Sequence, residues 1–347
     1  MSGFELAELG DLLRSPFTHD DLWSSGRPVI VADLADMGDP TDHELHELIR
    51  RCLLEVPAVT VARVHEPVAE RHADLVGAFD VVFAPPDLAG TAAVPTGDAG
   101  AEALIAARVG QHPQASVALV QLLRLSASVD VGAALAAESF VYSTLQAGPE
   151  FRAWMADRRS VAPDERTDPP VKVERRSSTM VVTLDRPERR NAFSAAMRDG
   201  LVDALRVAWA DPSLDGVVVT GEGPAFCAGG DLAEFGTTPD PTTAHVVRSI
   251  RSPGLWLHRL GGKARFQVHG ACVGAGIELP AFTPAVVATP DATFALPEVA
   301  MGLVPGAGGT VSIPRRVGRH RAAWLALGGQ AIDADTARDW GLVDRVE

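Results

Sequence analysis

Two glutamates in apolar company offer the clearest chemistry in this chain. Glu278 is the sole carboxylate in Val268–Phe282 (VHGACVGAGIELPAF), and its neighbours include Ile277, Leu279 and Phe282. Desolvation penalises a charged carboxyl, so such a group has a raised pKa and can carry protons near neutral pH. Glu298 follows Pro297 in a similar stretch, Phe294–Thr310 (FALPEVAMGLVPGAGGT). Two carboxylates so placed, each near glycine-rich turns, suggest a pair with divided acid and base duties. A third segment, Gly221–Phe235 (GEGPAFCAGGDLAEF), follows a β-branched run and is expected to lead into a helix. Its glycines permit positive φ and let a ligand approach the backbone. N–H groups at such a helix start lack partners and suit a developing oxyanion. Each signal alone is weak, because glutamates are common on surfaces. Their order and spacing together are far more specific.

The elements that would position these groups follow from period and breakers. Val171–Glu174 and Thr179–Leu184, split by Arg-Arg-Ser-Ser, predict a hairpin. Ser194 is a natural N-cap, and Met197, Leu201, Leu205 and Ala208 then fall on one helical face. Val217–Thr220 predicts a buried strand, and Phe266–His269 and Ala285–Ala288 predict further strands. Helices are expected near Arg319–Leu327 and over Ala334–Trp340, the second closed by Gly341. The alternation implies an α/β fold. Upstream, strands are expected at Val29–Ala32, Val59–Val64 and Val81–Ala84. Helices are expected at His43–Leu54, at Ala103–Leu125 with a break near His112-Pro113, and at Gly132–Leu145. Gly90–Gly100 predicts a loop. Ser160–Pro170 (SVAPDERTDPP) predicts a linker, since consecutive prolines resist helix and central strand. The chain therefore divides into an N-terminal region (1–160), a linker (161–170) and a C-terminal core (171–347).

Composition limits the alternatives. A hydrophobic fraction of 46% allows a substantial core, and a net charge of -14 argues against a nucleic-acid partner. Local arginines or helix N-termini can still hold phosphates. Three widely spaced cysteines, Cys52, Cys227 and Cys272, suit neither a disulfide framework nor a zinc site, and a reducing cytoplasm fits them best. No apolar run reaches the length of a membrane span, and MSGFELAELG has no basic region before an apolar stretch. A soluble, cytoplasmic protein with no metal and no membrane contact is expected.

Four stretches resemble the crotonase (enoyl-CoA hydratase/isomerase) superfamily: TLDRPERRNAFSAAM (183–197), VVVTGEGPAFCAGGDLAEF (217–235), VHGACVGAGIEL (268–279) and ALPEVAMGLVPGAGGT (295–310). The tail AIDADTARDWGLVDRV (331–346) is similar too, so about half of the chain is covered. The resemblance implies a ββα spiral with helical cover and an oxyanion hole for a thioester carbonyl, its donors falling on Gly230 and Ala275. The second position is usually glycine; alanine keeps the N–H. Both glutamate positions of the hydratases are filled, by Glu278 and Glu298, which makes hydration of a 2-enoyl-CoA the leading expectation. Glu278 would activate water and Glu298 would move the α-proton. Gly230, Asp231, Leu232 and Ala233 would line the substrate path, with Ala228 and Arg189 toward the coenzyme. Arg186 and Arg190 could also meet its phosphates. Coenzyme A enters only as part of an acyl-CoA substrate, with no resident cofactor, and fatty acid metabolism and a homo-oligomer (trimer or hexamer) are expected. Isomerisation, thioester hydrolysis and non-catalytic acyl-CoA binding are the alternatives.

Other groups have plainer expectations. His269 and the buried cysteines Cys227 and Cys272 are structural. Gly306–Gly309 serves a tight turn, and Asp231 caps a helix. The chain also departs from the family. Typical members continue past the GLVDRV-like turn with further helices, whereas residues 102–160 resemble that missing tail. Residues 28–85 echo the family's strands without its glycine motif or glutamates. The N-terminal region is thus expected to be a degenerate crotonase-like half that supplies the helical cover, with an unrelated regulatory domain as the alternative.

Overall fold

A computed structural model describes residues 3–35, 43–85, 88, 93–95, 100–159, 162 and 168–347. The expected linker therefore lies outside the described residues, apart from Ala162 and Asp168–Pro170.

The N-terminal region runs α1 (Leu6–Arg14), α2 (Thr18–Ser24), β1 (Val29–Asp33), α3 (His43–Glu55), β2 (Val59–Arg63), α4 (Ala73–Ala78), β3 (Val81–Ala84), β4 (Val94–Pro95), α5 (Ala101–Gln111), α6 (Pro113–Ser126), α7 (Val131–Gln146) and α8 (Pro149–Asp157). Strands β1 to β4 form a parallel sheet in that order. Both of its faces are buried. Val29, Val31, Val59, Val61, Val81 and Phe83 join the main core, while Ile30, Ala32, Ala62 and Val82 pack with Leu9, Ile49, Leu53 and Leu75 on the other side. Parallel sheets need cover on both faces, which is why their strands read as continuous apolar runs. The loop expected at Gly90–Gly100 is corrected in part: Val94–Pro95 pairs with β3. An edge strand tolerates proline because one side of it needs no donor.

The C-terminal region runs β5 (Val171–Arg176), β6 (Thr179–Leu184), α9 (Ala195–Ala210), β7 (Gly216–Gly221), α10 (Pro241–Ile250), α11 (Pro253–Leu260), β8 (Ala264–Val268), β9 (Ala271–Val273), α12 (Ala275–Glu278), β10 (Val286–Ala288), β11 (Thr293–Ala295), α13 (Gly309–Val317), α14 (Arg319–Gly328), β12 (Ile332–Asp333), α15 (Ala334–Asp339) and β13 (Arg345–Val346). One sheet has the order β13-β10-β8-β7-β6-β5 and a smaller one the order β12-β11-β9. The chain leaves the large sheet for the small one twice. It turns at Gly270, with φ +54, between β8 and β9, and again between β10 and β11. Repetition of this step gives the crotonase-type ββα spiral. The hairpin, the Ser194 cap on Met197 N–H and the Gly341 terminus, with φ +79, follow the sequence reading.

The two regions share one core. Helices α5 and α6 pack on α14, and α6 and α7 pack on α13. Asp80, at the entry to β3, is buried and ties them further. It accepts from Thr60 N–H and from Arg124 of α6 at 2.6 Å, and it pairs with Arg319 of α14 at 3.2 Å. Among the described residues, no helix is long and apolar enough to cross a membrane.

Candidate active site

Glu278 ends α12, a single turn that starts directly after β9. It is 2% exposed. Its Oε2 accepts from the N–H of Ala307 at 2.7 Å and of Gly309 at 2.8 Å. Oε1 is left to face Gly274. Burial pushes this carboxyl up to about 7 against the pull of those two amides. Glu298 opens a short 3-10 turn after β11. Its Oε2 is buried and has no hydrogen-bond partner among the described residues. Burial, then the charges of Glu278 and Glu138, hold it well above the carboxylate range. Gly274 explains how both acids fit: a β-carbon there would stand 2.5 Å from Glu298 Oε1 and 3.6 Å from Glu278 Oε1.

The strand that precedes α12 also fixes the glycine-rich segment. Cys227 N–H donates to Ala271 O at 3.2 Å, and Val273 N–H returns to Cys227 O at 2.9 Å. Gly229, with φ +93, then turns the chain so that Gly230 reaches the same cavity as Ala275. Neither the Gly230 nor the Ala275 amide donates a hydrogen bond within the described residues. The cavity holds about 330 Å³ and is lined by Gly230, Asp231, Ala275, Glu278 and Glu298, together with Glu138 and Tyr142 from α7. Unpaired donors beside two acids suit a reaction in which charge builds on an oxygen while protons are taken and given.

Two sequence expectations need correction, those for Asp231 and Arg186. Residues 232–236 form a turn rather than a helix, so Asp231 caps no helix. Its Oδ1 accepts from Ala233 N–H, and its Oδ2 meets buried Arg186 at 2.9 Å. Arg186 is thereby committed to the fold and is not available to a coenzyme phosphate. Arg189 donates to Ala162 O at 3.1 Å. Leu232 and Ala233 sit between the cavity-lining Asp231 and Glu234, and Ala228 lies two residues before Gly230. His269 bonds Gly223 O at 2.9 Å, in keeping with a structural role. Burial pushes the Cys227 thiol up to about 12 and Cys272 well above its usual value, so neither is an activated nucleophile. Among the described residues, no group of three or more His, Cys, Asp or Glu is placed to hold a metal ion.

Sequence reading missed Glu138. A signal was present, for it is the sole charged residue in α7 (VGAALAAESFVYSTLQ).

Residues 174–347 match the family model described as enoyl-CoA hydratase/isomerase. The chain is 38% identical to the 2,3-dehydroadipyl-CoA hydratase of Escherichia coli over 50% of this chain and 68% of that protein. It is 38% identical to a mevalonyl-coenzyme A hydratase of Aspergillus fumigatus over 48% and 62%. A 1,2-epoxyphenylacetyl-CoA isomerase of Escherichia coli is 35% identical over 48% and 65%. The chain thus spans about two thirds of the length of these relatives. A crystal structure of an enoyl-CoA hydratase from Thermoplasma volcanium is 32% identical over 52% of this chain and 72% of that one, with a TM-score of 0.48.

Proposed function

The chain belongs to the enoyl-CoA hydratase/isomerase (crotonase) family, and on that premise we propose that it adds water to a 2-enoyl-CoA thioester, or removes it. The observation that carries this is the pair of buried carboxyls facing Gly274, beside two unpaired amides on one cavity. The thioester oxygen lies between the N–H groups of Gly230 and Ala275. Glu278, through its free Oε1, takes a proton from water as the oxygen bonds the β-carbon. Electrons move through the enoyl system onto the thioester oxygen, where one such donor contributes about 10²–10³ in rate. Glu298, whose carboxyl burial holds well above the usual range, then delivers its proton to the α-carbon. The sum is addition of one water, and proton exchange between the two acids resets the site. The names of the relatives support a CoA thioester substrate. Helices α5 to α8 supply the cover that other family members carry after the core, and the N-terminal region is a degenerate copy of the fold.

Incubation with short, long and aromatic 2-enoyl-CoAs tests the assignment. Formation of 3-hydroxyacyl-CoA from at least one of them is expected. Tight binding with no turnover of any would replace it with a non-catalytic acyl-CoA-binding role.

A further inference from the structure

The turn that follows Glu298 is held from two sides. The amides of Ala307 and Gly309 donate to Glu278, whereas those of Gly308 and Thr310 donate to Glu138, at 2.7 and 3.0 Å. The Thr310 hydroxyl adds a third bond to Glu138 at 2.6 Å. Four consecutive N–H groups thus alternate between two carboxyls that lie far apart in sequence. The packing leaves little freedom. A β-carbon on Gly309 would stand 2.6 Å from Glu278 Cγ, and one on Gly306 would stand 2.5 Å from the Tyr142 ring. Glu138 is 3% exposed and lines the cavity, although it comes from α7, ahead of the whole catalytic core.

We propose that Glu138 is a positioning residue of the active centre, which fixes the 307–310 turn so that Glu278 is held with one oxygen free for the reaction. The region before residue 160 then contributes a working part of the site as well as its cover. This extends the hydratase assignment and rests on it for its kinetic readout. Two consequences separate it from simple packing. Loss of the clamp displaces Glu278 and lowers kcat more than it raises KM, since misplacement by about 1 Å costs up to about 10²-fold. Burial and then the charge of Glu278 raise Glu138 itself to about 8; above that pH it is a negative neighbour that raises the Glu298 carboxyl, so its loss lowers the proton affinity of Glu298 there.

The test uses the full chain with glutamate carboxyls labelled with 13C, in the parent, Glu138→Gln and Glu138→Asp proteins. Glu298→Gln identifies the signal of Glu298. In Glu138→Gln, kcat should fall about 10- to 100-fold with KM within about threefold. The Glu298 titration midpoint and the alkaline limb of kcat/KM should both move to lower pH. Glu138→Asp keeps the charge but cannot span to the turn. It should lose kcat with a midpoint near that of the parent, and it gives the kinetic answer if Glu138→Gln fails to fold. Parent-like kcat in either variant, or an unmoved midpoint in folded Glu138→Gln, would overturn the proposal. A parent that hydrates nothing while the midpoint still moves would sink the hydratase assignment and leave the role of Glu138 standing.

Discussion

Glu278 and Glu298 approach each other across the bare Cα of Gly274, whose φ of +51 already favours glycine. The glycine therefore has two duties, a sharp exit from β9 and room for the acids. Gly274→Ala should cost about 1–3 kcal/mol of stability through the strained backbone. It should also reduce kcat by displacing Glu298, the nearer of the two. Chemical denaturation and steady-state kinetics check this, and an alanine variant with parental activity would show that the acids do not need this space.

Removal of either acid should separate their roles. Glu278→Gln and Glu298→Gln are each expected to lower hydration by about 10²–10⁴ with little change in substrate affinity. Stopped assays paired with calorimetric binding of a saturated acyl-CoA would show it. If one variant isomerises double bonds while hydration is lost, the remaining acid is carrying protons without water.

The pH dependence follows from the same two groups. In the proposed reaction Glu278 works ionised, so kcat/KM should rise as pH passes its raised value of about 7. Glu298 works protonated in that proposal, so the rate should fall again at higher pH, where its carboxyl ionises. Stability has the opposite sense from the usual acidic group. A carboxyl whose folded pKa is raised binds more protons in the native state above pH 4.5. Its contribution is therefore complete below the unfolded value and is lost as pH rises through the folded one. Glu298→Gln should accordingly raise the Tm relative to the parent at pH 8, while it lowers turnover. An equal or lower Tm at pH 8 would contradict the burial there of a carboxyl with one unpartnered oxygen.

Asp80 provides a test of the union between the regions. It is 1% exposed, with Arg124 and Arg319 on it from opposite sides of the chain. Asp80→Ala leaves two guanidinium groups uncompensated and should cost about 3–5 kcal/mol. Residues 166–347 expressed alone would expose the apolar faces of α13 and α14 and should be insoluble or inactive. A soluble, fully active fragment would show that the N-terminal region is dispensable.

Much of the spiral was legible because its elements are short, apolar and bounded by glycine or proline. Val217–Thr220, the Ser194 cap and the Gly341 terminus are local signals, and local signals survive folding. Glu278 and Glu298 were legible as desolvated acids for the same reason. Asp231 and Arg186 were misread because their pairing joins loops 45 positions apart, and nothing in either loop announces the other. Helix α13 escaped notice because Pro314 lies inside it and its start depends on Gly308 at φ +108. Glu138 escaped because the site was sought only in the C-terminal core. A single acid in an otherwise uncharged helix is the mark that could have pointed to it.

Turnover in H2(18)O and in D2O tests the central claim most directly. An oxyanion site served by two acids predicts a 3-hydroxyacyl-CoA with 18O at the β-hydroxyl and one deuteron at the α-carbon, both lost in Glu278→Gln and Glu298→Gln. Deuterium without 18O in a shifted enoyl-CoA, or release of free CoA, would contradict it.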